Sequence, residues 1–209
     1  MSALDSCQEI IGSIWATGPE ESRKSILITS SVSGEGVSDV AYNLAKVLAE
    51  VKGARVCLID AAFRHPSVHR RFDFKNTVGF SDLLQGQVGG ISGVLQKTHF
   101  NNLFVITSGV LEKHQASNID PQKVREIIEE LNDKFDFLIF DSSGVCEQTD
   151  PLILAGQVDG VVMVVQAGRT RWEVAQKGKE QIEFAGANLL GVVLNRRKYY
   201  IPRSIYRNL

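Results

Sequence analysis

Serine, glycine and carboxylate residues gather where apolar runs end, and their order suggests chemistry on a phosphate. Ile26 to Thr29 is a short apolar run that opens into Ser30-Ser31-Val32-Ser33-Gly34-Glu35-Gly36 and then into a stretch with helical periodicity. A strand, a glycine-rich loop and a helix start place free backbone N–H groups and the positive helix end around one point, which is how a chain cradles a phosphate. Compared with the full motif G-x-x-x-x-G-K-[ST], Ser31 stands at the first glycine, Gly36 at the second, Val37 where the lysine belongs and Ser38 at the magnesium-ligating hydroxyl. On its own, Gly34-Glu35-Gly36 equally fits a plain strand-to-helix turn. Asp60 and Asp141 each close another apolar run and, with Ser38, form a set of hard oxygen ligands suited to Mg2+; each aspartate could instead cap the turn after its strand.

Those groups need a scaffold, and the apolar pattern supplies one. Val40, Ala41, Leu44, Ala45 and Leu48 recur at helical spacing, with Lys46 and Glu50 on the other face. Val56 to Ile59, Leu103 to Thr107, Phe137 to Phe140, Val161 to Val165 and Leu190 to Leu194 read as further strands. Asp120-Pro121 is a helix start, with an N-cap carboxylate and proline at the first helical position, and Val124, Ile127, Ile128, Leu131 and Phe135 line one face of that helix. Continuously apolar strands alternating with helices predict an α/β fold, a doubly wound, mostly parallel sheet with helices on both faces. Ligands in such folds sit beyond the carboxyl ends of the strands. The loop at 30–38, Asp60, Asp141 and Asn195 all fall there. The organisation expected is a lead helix at 1–24, one domain at 25–195 and a basic, tyrosine-containing tail at 196–209.

The chain has 209 residues, 44% hydrophobic and 22% charged, enough for one domain with a sizeable core. Twenty-three Lys and Arg against 24 Asp and Glu leave a net charge of −1, so no global attraction to nucleic acid is expected. Apolar runs stay well below the roughly 18 residues of a membrane span, and no secretory leader is visible. Three widely spaced cysteines, Cys7, Cys57 and Cys146, suit reduced thiols. These features predict a cytoplasmic protein.

The segment Ile28 to Gly36, followed by Leu58-Ile59-Asp60 and Arg64-His65-Pro66, resembles the bacterial tyrosine kinases of capsule and exopolysaccharide synthesis. Phe135 to Asp141 is similar to their second acidic strand; Thr149-Asp150, Val158 to Val161 and Gly191 to Asn195 extend the likeness over about residues 25–195. The related MinD/ParA-like partitioning ATPases fit less well, because Val32 occupies the position of their extra lysine. The resemblance implies a P-loop NTPase-like fold, with ATP or ADP and Mg2+ as cofactors. It implies nucleotide contacts from Gly34, Glu35, Gly36, Val37, Ser38 and Asn195, the last at the adenine edge. It further implies metal contacts from Ser38, Asp60 and Asp141, with the two aspartates catalytic in an active enzyme.

Four departures fall on the positions that would do the chemistry. Val37 replaces the phosphate-binding lysine, Asp39 adds a carboxylate, Ala62 replaces the second acid of Asp-x-Asp, and Ser142-Ser143-Gly144 replaces a Thr-Pro-Pro-like run. A lysine about 4 Å from a phosphate charge is worth roughly 4 kcal/mol at an effective dielectric of 20, about three decades in affinity or rate. Valine supplies none of it. Asp39 suits the helix dipole yet repels a polyanion at the same helix end. Lys24 is a candidate substitute for the missing charge, and position 37 is expected to be an exposed loop site. Nucleotide binding is therefore expected to be weak or absent.

The ends depart too. The family's lead helix carries Glu-x-x-Arg-x-x-Arg for ring assembly, where this chain has Glu9, Gly12 and Trp15; homo-oligomerisation stays open. Tyr199, Tyr200 and Tyr206 are candidate phosphoacceptors, or else part of a basic, aromatic docking segment. The reading reached is a catalytically degenerate kinase-like protein, a regulatory or scaffold subunit of polysaccharide synthesis and export. Its expected partner is a membrane-spanning chain-length or co-polymerase protein, and its expected place the inner face of the cell membrane. The alternatives are an active ATP-dependent tyrosine autokinase and a positioning ATPase.

Overall fold

A computed structural model describes Gly12, residues 24–110 and residues 119–197. Seven strands form one sheet: β1 (Ser25–Ser30), β2 (Val56–Asp60), β3 (Leu95–Lys97), β4 (Leu103–Ile106), β5 (Phe137–Gly144), β6 (Gly160–Gln166) and β7 (Leu189–Asn195). Their order is β3-β4-β2-β5-β1-β6-β7, and every pairing is parallel except β3 with β4. β3 has no counterpart in the sequence reading: three half-exposed edge residues carry neither an apolar run nor a useful alternation.

β1 is central because both its faces are apolar. Leu27 packs into one layer, with Val124, Ile127 and Leu131 of α4 (Pro121–Asn132), Leu154 of α5 (Asp150–Ala155) and Ile182 of α6 (Trp172–Phe184). Ile26 and Ile28 pack into the other, against α1 (Val37–Val51) and Val68 of α2 (Val68–Arg71). α3 (Phe80–Leu84) adds Phe80 and Leu83 to the first layer. Val40, Ala41, Leu44, Ala45 and Leu48 are the buried face of α1. Asp120 caps α4 as expected, its carboxylate accepting the Gln122 amide at 2.9 Å. Phe135 is buried but lies beyond the helix, in the turn after Asn132, where its amide donates to the Leu131 carbonyl.

The chain leaves β1 to one side for β2 and, after β5, crosses to the other for β6, so the loops after β1 and β5 meet at the switch point where such sheets bind ligands. Among the described residues Cys57 and Cys146 are free thiols, and no helix is long and apolar enough to cross a membrane.

The far end of β1 is fastened by Asp159, one of the residues behind the family resemblance. One carboxylate oxygen accepts the amides of Lys24 and Ser25 at 2.9 and 2.8 Å and the Ser25 hydroxyl at 2.8 Å. Asp159→Ala is expected to cost about 1–3 kcal/mol, since it orphans the buried Ser25 donors. Urea titration should show a lower midpoint with an unchanged slope; an unshifted midpoint would remove this role.

Candidate functional site

The loop after β1 is held from within by its own glutamate. Glu35 is 2% exposed. One carboxylate oxygen accepts the amides of Ser31 and Val32 at 2.9 and 3.1 Å; the other accepts the Gln166 amide at 3.1 Å and the Thr170 hydroxyl. Four donors offset the cost of burying a carboxylate, and they fasten the loop to the turn between β6 and α6. Glu35 is thus engaged with the protein on both oxygens. Gly34 and Gly36 turn the chain at φ of +87° and +93°, where an L side chain is strained. The amides of Gly36, Val37 and Ser38 meet no acceptor among the described residues, which leaves a phosphate-type cradle at the start of α1.

Ser31, at the first glycine of the motif, fits because glycines face it. A Cβ on Gly178 of α6 would come within 2.6 Å of the Ser31 hydroxyl oxygen, and one on Gly144 within 2.8 Å of the Val32 Cα. The Ser142-Ser143-Gly144 run extends β5 beside the loop: Ser142 donates its hydroxyl to the Ile28 carbonyl at 2.9 Å, and the amides of Val145 and Cys146 donate to the carbonyls of Ser30 and Ser31.

Between the loop, the segment after β2 and the end of β5 lies a cavity of about 280 Å³. Val37 lines it and is also 8% exposed, packed in the same layer as Ile28, Val40 and Leu44. The expectation of an exposed loop site at 37 is therefore corrected, because α1 begins here and turns this side chain against the sheet. Lys24 does not substitute for the lysine: it precedes β1 at the opposite end of the strand, six residues or ~20 Å from the loop.

Asp60 and Asp141 are register partners on neighbouring strands, both fully buried, and their surroundings differ. Asp60 accepts the amides of Ala62, Ser67 and Val68 at 3.1, 3.0 and 2.9 Å, so it organises the segment after β2 and the start of α2. Burial raises its pKa, and these amides and the nearby His69 pull it back. Neither oxygen of Asp141 has a hydrogen-bond partner of good geometry. Burial holds its pKa well above the carboxylate range, and the Asp60 and Asp39 charges add to that; the Ser38 hydroxyl and the Arg71 charge act in the opposite sense. A buried, unsatisfied carboxylate beside a serine hydroxyl is the donor set a divalent cation fits. Ala62, in the place of the second acid, brings a methyl to the cavity wall.

Asp39, expected as a helix-start residue or a repulsive charge, is paired twice. Its carboxylate meets the Arg71 guanidinium and lies 3.5 Å from that of Arg196. Arg196 also donates to the Gly34 carbonyl at 2.9 Å. Asn195 is placed beside the loop, its side-chain amide donating to the Glu35 carbonyl at 2.9 Å and its oxygen accepting the Arg196 amide. Arg71, Gly178 and Thr170 escape a reading of the sequence because each reaches the loop from a distant segment with no motif around it, whereas Arg196, read as the first residue of a basic tail, is found against the loop. The lead segment, apart from Gly12 and Lys24, and Tyr199, Tyr200 and Tyr206 lie outside the described residues.

The raised pKa of Asp141 has a sign that can be measured. The folded chain holds a proton there more readily than the unfolded chain, so stability from this group is complete below an ordinary aspartate pKa of about 3.9 and is lost as pH rises through the raised value. Asp141→Asn is expected to be more stable than the wild type at pH 7 by about 1–3 kcal/mol, with the gap closing toward pH 4. A variant less stable at pH 7 would show the charged form to be satisfied.

The description "NUBPL iron-transfer P-loop NTPase", of the ParA family, matches residues 21–207. Tyrosine-protein kinase YwqD of Bacillus subtilis is 36% identical over 175 residues, covering 84% of this chain and 73% of that protein. The crystal structure of the chimerical protein CapA2B2 superposes with a TM-score of 0.84 at 32% identity, over 92% of this chain and 84% of the other. The cell division ATPase MinD of Pyrococcus furiosus gives 0.70 at 25% identity, over 88% and 78%. With the loop, the paired aspartates and a likeness that runs through nearly every element, the chain belongs to the ParA-like P-loop NTPases, among the bacterial tyrosine kinases.

Proposed function

We propose that this chain is a member of that branch which has lost phosphoryl transfer and serves as a regulatory or scaffold subunit of capsule or exopolysaccharide synthesis. The observation that carries the reading is Val37: the residue at the lysine position is an apolar side chain packed into the core. Phosphoryl transfer depends almost wholly on positioning and charge compensation, and valine offers the transferring group no charge. Ala62 removes a second acid nearby, and Asp60 spends its oxygens on three backbone amides.

Nucleotide and Mg2+ fit what remains. The amides of Gly36, Val37 and Ser38 would hold phosphate oxygens, and Ser38 with Asp141 would hold Mg2+, which when bound neutralises phosphate charge. The chain's own residues bind and orient; none puts a positive charge within the loop itself. The partner that fits this role is a membrane-spanning chain-length or co-polymerase protein, which would hold the chain at the inner face of the membrane; homo-oligomers are compatible with it.

Purified protein with radiolabelled magnesium-ATP is expected to acquire no label above background, with or without the partner's cytoplasmic segment. Label on Tyr199, Tyr200 or Tyr206 that disappears in Asp141→Asn would establish the autokinase instead. A repair experiment tests the same reading from the other side. Val37→Lys should tighten ATP binding by roughly tenfold or more, yet restore no transfer, because position 62 and the end of β5 stay changed. It should also cost about 1–3 kcal/mol of stability, because a buried valine is replaced by a chain that must reach into the cavity to keep its charge wet. Full transfer from that single change would show that the departures at position 62 and at the end of β5 are harmless.

A further inference from the structure

The cavity contains cations that no motif announces. Arg71 reaches it from α2 and Arg196 from the segment after β7, and both meet Asp39, in the first turn of α1. Arg71 also stacks over the Tyr42 ring, 5.0 Å from its centroid, and Arg196 spans the loop by its bond to the Gly34 carbonyl. All three charged side chains are between a third and a half exposed. Exposed pairs of this kind are weak and exchange readily. Next to them are the amides of Gly36, Val37 and Ser38 without acceptors and the unpartnered, buried Asp141 carboxylate. Guanidinium groups bind phosphate oxygens in a two-pronged manner that a lysine does not.

Resting on the reading of this loop as a nucleotide site, we propose that Arg71 and Arg196 supply the positive charge that the loop lysine provides in the full motif, and that Asp39 is their counter-ion between binding events. A triphosphate chain enters by taking the two guanidinium groups from Asp39, so the affinity of the site is set by a competition between one carboxylate and several phosphate charges. The arginines sit on the rim of the cradle rather than within it. They therefore stabilise a bound polyphosphate without recreating the in-loop charge on which transfer depends, and the site retains a ligand while staying inert.

The test is calorimetry on the full chain, with ATP, AMP and inorganic triphosphate, each with and without Mg2+, at low and at physiological salt. The expected result is that ATP and inorganic triphosphate bind and AMP does not, that Arg71→Ala with Arg196→Ala weakens ATP binding about tenfold or more, and that Asp39→Asn tightens it by roughly three- to tenfold. The double arginine variant should also lose most of the salt dependence. Circular dichroism and urea midpoints of each variant confirm folding, and Val37→Lys is the control for a loop competent to bind. Equal affinity of the double arginine variant and the wild type, or weaker binding in Asp39→Asn, would overturn this inference while leaving the loop a nucleotide site. Absence of binding in every form, Val37→Lys included, would overturn the nucleotide site and this inference with it. Phosphotransfer by the wild type would instead overturn the reading of the chain as inert.

Discussion

Glu35 is the constraint around which the site is arranged. A carboxylate buried to this extent is unstable unless its oxygens are satisfied, and the donors that satisfy it come from the start of its own loop, the end of β6 and the turn into α6. Once that knot is formed, the positions of Gly34 and Gly36 follow, and with them the left-handed turns that aim the next amides at one point. Asn195 and Arg196 then close over the loop backbone from the last strand. The cradle is thus shaped by an internal anion, independently of whether a lysine follows it, which explains how the loop keeps its form with valine at position 37.

Around this knot, like and unlike charges are kept in balance. Asp60 and Asp141 are side by side, and the first is stabilised by three amides while the second is left with raised pKa and no partner. Asp39 brings a third carboxylate near them and is offset by two guanidinium groups from opposite sides of the cavity. The positive charges of the cavity lie on its rim, at Arg71 and Arg196, rather than in the loop.

Much of the fold was legible from the order of residues. The six longer strands, the α1 face and the Asp120-Pro121 helix start appear where they were read, because apolar runs and caps are local signals, but β5 runs on through the polar Asp141-Ser142-Ser143-Gly144, which has no apolar pattern to mark it as strand. β3 was not legible, being an edge strand of three residues, and Phe135 was assigned to a helix that stops before it. At the site, the loop, Asp60, Asp141 and Asn195 are where their spacing put them. What the spacing did not disclose is how each is used: Glu35 and Asn195 bind the protein's own backbone, Val37 is packed in the core, and Arg71 and Arg196 arrive through tertiary contact. Such contacts join residues separated by dozens to more than a hundred positions and leave no trace in a local pattern.

The extended end of β5 bears on which substitutions the loop tolerates. A proline at position 144 could not lie along the loop as Gly144 does, since there is no room for a Cβ beside Val32. The loop, in turn, leans on Gly144 and Gly178 to accommodate Ser31. Ser31, Gly144 and Gly178 are thus interdependent, because a side chain at either glycine would press on the loop backbone or on the Ser31 side chain. In evolutionary terms these three positions are coupled: a larger residue at either glycine requires a compensating change in the loop.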